Sequence, residues 1–168
     1  MKGLENPDYL LMFLVSNIVG LFILWSGYKN PKLARFIFFL LFGWASWINF
    51  SLANTNPEAY LNYATMSTGW YADFINGWFS RNITVMVTTI AFGQGLIAIG
   101  MLLKGWWIKL ACIGVILFLI GIAPLGVGSA FPFSITVGLA SFFIMKRDNL
   151  IYIWIVDWPK MPTEMKRV

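Results

Sequence analysis

Histidine is absent from this 168-residue chain, and cysteine occurs once, as Cys112. The first absence removes the commonest protein ligand for haem iron and zinc. The second excludes an intramolecular disulfide and a CxxC redox pair. Charge is scarce too: charged residues make up 11% of the chain, against about 25% in an ordinary soluble domain. No Asp, Glu, Lys or Arg falls deep within any of the apolar runs described below, and all seven carboxylates lie in connections or tails. Ion pumps and proton-coupled carriers usually need a titratable group inside the membrane, so this deficit argues against active transport.

What fills the chain instead is apolar surface. Hydrophobic residues reach 59%, more than a single small domain can bury, and lipid is the natural solvent for the excess. A hydrocarbon core of about 30 Å needs about 20 helical residues. Runs at 9–28, 33–53, 83–103, 108–123 and 131–145 approach or meet that length. They predict an all-α, polytopic transmembrane bundle of about five spans, with residues 1–168 as one membrane domain. The first run could pass for a signal peptide. However, Lys2 is offset by Glu5 and Asp8, and no small-residue cleavage site follows, so it reads as a retained helix. Arg35 stands near the start of the second run, where its long stem lets the guanidinium snorkel to the headgroups. Aromatics reach 18%, with nine Trp, a residue that collects at membrane–water interfaces.

The net charge of +5 invites a nucleic-acid reading, but no basic–aromatic interleaving on a polar surface supports one. The charges follow a membrane topology instead. Lys29, Lys32, Arg35, Lys104, Lys109, Lys146, Arg147, Lys160, Lys166 and Arg167 fall on one side of five alternating spans, and only Lys2 and Arg81 on the other. The excess of Lys and Arg on cytoplasmic loops then places the N-terminus outside, the tail 146–168 inside and the segment 54–82 outside. A plasma or inner membrane is the expected location.

That long segment carries its own pattern. Asn56 and Pro57 suit a helix start. Tyr71, Phe74, Ile75, Trp78 and Phe79 fall at i, i+3, i+4, i+7 and i+8, one face of an amphipathic helix in the interface plane. Asp73 and Arg81, flanked by Trp70, Trp78 and Phe79, would rim one pocket for an amphipathic ligand; the other reading is aromatic anchoring with surface charges. Ser16, Asn17, Asn49 and Gln94 are the polar residues inside the spans. They suit hydrogen bonds to a quinone carbonyl or lipid headgroup, but interhelical hydrogen bonds of ~0.6–2 kcal/mol account for them more simply. Thr84, Thr88, Ala91 and Gly95 share one face of the third span and read as close helix packing. Pro124, Gly126, Gly128 and Pro132 break the chain without a charge, either as an outer pocket or as a tight hairpin under the 54–82 segment, with the hairpin favoured. Asn49, Asp73, Trp78, Arg81 and Gln94 are the candidate ligand-binding set. No catalytic residue and no metal ligand stands out.

Several stretches bear a resemblance. "ARFIFFLLFGWASWINF", "NPEAYLNYA", "GQGLIAIGMLLKGWWIKLACIGVIL" and "IAPLGVGSAFPF" together resemble the DoxX-like membrane proteins over about residues 33–147. These include the DoxD subunit of thiosulfate:quinone oxidoreductase. The resemblance implies a four-helix core to which the first span is an addition. It also implies a place beside quinone-linked sulfur oxidation or in membrane redox and detoxification complexes. It brings no catalytic motif, and one Cys without His could not perform thiol–disulfide chemistry alone. The expectation is an accessory or anchoring subunit of a membrane redox complex, with membrane lipids and a membrane or peripheral protein as partners. No cofactor is held covalently, quinone is the implied non-covalent ligand, and an oligomer is compatible with this. The alternatives are a quinone-reducing subunit acting on a small sulfur compound, or a small-solute or lipid transport protein.

Overall fold

A computed structural model describes residues 4–155. Six α-helices follow one another: α1 Pro7–Lys29, α2 Pro31–Thr55, α3 Gly69–Phe74, α4 Ile83–Leu102, α5 Trp106–Ile122 and α6 Phe133–Arg147. Irregular helical turns at Pro57–Thr65, Ile75–Phe79 and Ala123–Ser129 complete the chain, and no strand occurs among the described residues. The protein is an all-α helical bundle. Four helices are long and apolar enough to cross a membrane: α1, α2, α4, and α5 continued to Ser129. The protein is therefore a multi-pass membrane protein. α6 has 15 residues, about 22 Å at 1.5 Å per residue, and packs beside α1 and α5 in the same bundle.

The helix ends follow from their local chemistry. Asn6 caps α1 by accepting from the Asp8 amide at 2.9 Å, with Pro7 in the first helical position. Asn30 performs two tasks at once. Its backbone N–H closes α1 on the Ser26 carbonyl at 2.7 Å, and its side chain accepts from the Leu33 amide to open α2. Asn56 does not act in the same way. The turn it opens is a 3-10 helix, Pro57–Thr65, and its side chain makes no capping bond there.

α2 packs most extensively against α4, and α1 against α6. Small residues set both distances. A Cβ added to Gly27 would stand 2.9 Å from the Ala140 carbonyl oxygen, and one added to Gly20 would stand 2.7 Å from Thr136 Oγ1. Ser46 on α2 donates to the Ala91 carbonyl at 2.7 Å and lies 3.2 Å from where a Gly95 Cβ would be, so Ala91 and Gly95 face α2. Phe38, Phe42, Met101, Ile108, Val115, Leu119, Val137 and Ile144 form the core among these helices. Trp44 and Trp47 are exposed on α2 about 20 and 24 Å along the helix from Pro31.

The bundle has two chemically distinct ends. One gathers the α1–α2 turn, the α4–α5 turn and residues 147–155. Arg35 organises it, and not as a snorkelling side chain: it is fully buried. Its guanidinium donates to the carbonyls of Met101 at 2.9 Å and Leu103 at 2.7 Å, two acceptors left unpaired where α4 ends. It also donates to Asp148 Oδ1 at 3.0 Å and to the Ile151 carbonyl at 2.8 Å. Snorkelling is unnecessary because a helix end and a carboxylate meet the charge inside the protein. Residues 148–155 are thereby tied to the bundle, further secured where the Gly105 amide donates to the Leu150 carbonyl at 2.7 Å. The remainder of the tail expected on the membrane surface, 156–168, lies outside the described residues.

Candidate functional site

The other end carries the candidate site, built from the residues between α2 and α4 and from the Ala123–Ser129 turn. The latter is the tight hairpin favoured from sequence. It tucks beneath the long segment: the Thr68 amide donates to the Pro124 carbonyl at 3.2 Å, and Tyr71 Oη donates to the Gly121 carbonyl at 2.7 Å. Gly126 turns here with φ +60°, a backbone shape that L side chains rarely adopt, and Met66 O lies 3.2 Å from where its Cβ would be. Asn17 on α1 closes the turn from the far side, donating to the Ala130 carbonyl at 3.0 Å. So Asn17 serves backbone satisfaction, as irregular chain inside a membrane protein requires.

Beneath this cover lies a cavity of about 230 Å³. Phe74, Ile75, Phe79, Val87, Ile90, Phe118 and Ile122 make its walls apolar, and Tyr60, Tyr63, Tyr71 and Asn49 supply its polar atoms. A hydrogen-bond chain runs along one side. Tyr60 Oη donates to Asn49 Oδ1 at 2.7 Å, and Asn49 Nδ2 donates to Gln94 Oε1 at 2.7 Å. Gln94 is buried, and among the described residues its amide nitrogen has no acceptor. Two larger spaces meet it: an apolar groove of about 600 Å³ between α4 and α5, and a hollow of about 510 Å³ between α1 and α2. Phe118 borders all three, its ring edge-on to Phe42 at 5.7 Å. Burial raises the pKa of the three phenols. Tyr60 is pushed up to about 12 by desolvation and then by Tyr63, Tyr63 is raised by desolvation and then by Tyr9, and Tyr71 is raised by desolvation. All three are neutral donors at physiological pH.

Of the five residues expected to line a site, Asn49 and Gln94 are brought together and hydrogen-bonded. Asp73, Trp78 and Arg81 are not: all three are exposed on the outer side of the segment. Asp73 lies two residues from Tyr71, on the opposite side of α3, and for Trp78 the reason is the local pitch. Ile75–Phe79 is a π-helical turn, and its extra residue per turn slows the rotation of the chain. At α-helical pitch Trp78 would share the face of Tyr71. With the wider turn, Phe79 takes that place and Trp78 swings outward, 54% exposed. Sequence reasoning missed Tyr60, Tyr63, Phe118 and Gly128. Gly128 is a contact position, since its Cβ would fall 2.6 Å from Tyr63 Cδ1. The three tyrosines of the 54–82 segment were the available signal.

The chain matches no protein family, no curated protein and no solved structure with which it was compared.

Proposed function

We propose that the protein binds a lipid-soluble ligand carrying one carbonyl or similar acceptor at its head, of which a quinone is the type, and that it does so as an accessory subunit of a membrane redox complex. The observation that carries the reading is the Gln94 amide. It is oriented by Asn49 and Tyr60, has a donor to spare, and lines both the α4–α5 groove and the α1–α2 hollow, while its partner Asn49 lines the third space. A ligand carbonyl could accept from that amide, a hydrogen bond worth about 0.5–1.5 kcal/mol. The mostly apolar lining with few convergent polar groups is what small-molecule sites in proteins present. The grooves between α1 and α2 and between α4 and α5 suit an isoprenoid or acyl tail. The DoxX-like resemblance supplies the redox context and the protein partner. The excess of Lys and Arg at one end supports a cell-membrane topology with the N-terminus outside.

The test is purification from native membranes in mild detergent, followed by solvent extraction and chromatography of the bound lipids. The expected result is a quinone in near-stoichiometric amount in the unaltered protein and its loss from Gln94→Leu, together with a co-purifying redox protein. Bulk phospholipid alone, in membrane proportions and unchanged by Gln94→Leu, would refute it. Labelling of a cysteine placed at Asn62 only from the cytoplasmic side would reverse the topology.

A further inference from the structure

The basic end holds a second hollow, of about 400 Å³, between the α1–α2 turn and the end of α6. Lys29, Lys32 and Arg147 line it. Two of these cations converge on a single ring. The Arg147 guanidinium lies 3.8 Å from the centroid of Tyr28 and donates to the Tyr28 carbonyl at 3.1 Å, and Lys29 Nζ lies 5.4 Å from the same centroid. A cation in the last turn of a helix is favourable by itself, which would account for one on each of α1 and α6. It does not account for their meeting over one ring. Asp148 also lines the hollow, but its side chain is fully buried and its Oδ1 is paired with the buried Arg35. Among the described residues neither Lys29 nor Arg147 has a carboxylate within ion-pair distance. Lys32 Nζ donates to the Ile155 carbonyl at 2.7 Å, which holds a third cation at the rim.

We infer that this hollow binds the phosphate of an anionic phospholipid headgroup, held by Lys29 and Arg147. The chemistry fits on three counts. Arg offers a planar fork of donors and Lys a point charge, the two ways in which proteins hold phosphate. The Tyr28 ring and carbonyl hold the Arg147 guanidinium in place, so less side-chain entropy is lost when the anion arrives. Basic pockets between helix ends at a membrane surface are also where anionic headgroups dock. The site is separate from the cavity at the opposite end and independent of the quinone reading.

The test is native mass spectrometry of the full chain released from detergent micelles supplied with equimolar phosphatidylglycerol and phosphatidylcholine. The unaltered protein is expected to retain phosphatidylglycerol preferentially. The Lys29→Gln/Arg147→Gln pair removes two surface-adjacent charges and weakens retention about thirtyfold. Arg147→Lys should recover part of it, and Lys104→Gln/Lys109→Gln, an equal charge change at the α4–α5 turn, should leave it intact. If the double variant fails to fold, Lys29→Gln alone, at an exposed position, carries the comparison. Equal retention of both lipids, or equal loss in the Lys104/Lys109 control, would overturn the proposal. Inorganic phosphate arm: protection of the lipid-free protein against heat by millimolar phosphate, abolished by the same pair, with no lipid preference, would overturn the lipid source and leave a soluble phosphate in its place.

Discussion

Replacing Arg35 tests the organisation of the basic end most directly. Arg35→Met removes a fully buried guanidinium that makes four hydrogen bonds, to Met101, Leu103, Ile151 and Asp148. Two consequences add. Asp148, whose side chain is fully buried, loses its cation and keeps only the Leu150 amide as a donor, and breaking one side of such a pair costs about 3–5 kcal/mol. The carbonyls that end α4 also lose their donor, at about 1–3 kcal/mol for each one that water does not reach. A destabilisation of at least 3 kcal/mol is expected. The companion Arg35→Met/Asp148→Leu removes both charges and should recover much of the loss, because no charge is then stranded. Asp148 Oδ2 has no partner in the folded protein, so the native pair is imperfect and its removal as a unit is correspondingly cheap. The assay is reversible unfolding in mixed micelles of increasing sodium dodecyl sulfate, followed by tryptophan fluorescence. A single variant within about 1 kcal/mol of the unaltered protein, or a double variant as unstable as the single, would refute the reasoning.

Three further outcomes are expected. Tyr60 should ionise at about 12 in the folded protein, two units above an exposed phenol, read by absorbance at 295 nm as the difference between the unaltered chain and Tyr60→Phe. Because its folded value is raised, its contribution to stability is complete below pH 10 and lost between pH 10 and about 12; a transition midpoint unchanged across that window would contradict its burial. Gly27→Leu should destabilise the α1–α6 contact by roughly 1–3 kcal/mol or more, since its Cβ already meets the Ala140 backbone, whereas Gly77→Leu, with open space around it, should be near neutral in the same unfolding assay.

The all-α class and the positions of the apolar helices were legible without tertiary structure. Runs of apolar residues at membrane length and the Asn-Pro and Lys-Gly breaks between them depend on local chemistry and on solvent, both of which a sequence states. The expected bounds of 33–53 and 83–103 differ from α2 and α4 by no more than two residues at either end. The pairing of Asn49 with Gln94 lay half within reach: each was conspicuous as a polar residue in an apolar run. Their contact depends on how α2 packs against α4, where Gly95 and Ala91 allow Ser46 to approach.

What the tertiary structure alone decided was direction and burial. Arg35 looked like a headgroup anchor because a sequence shows its distance from a helix end and not what lies opposite. Its partners come from residues 66 to 116 positions away. Trp78 looked inward because a regular pitch was assumed, and one π turn rotated that face by about a quarter of a circle. Tyr60 reached Asn49 through a 3-10 turn whose path no periodicity encodes. Composition and spacing fixed which segments leave water, because that is a sum over residues. Which side chains meet inside the bundle is a property of packed surfaces, and it appears only when the helices are in place.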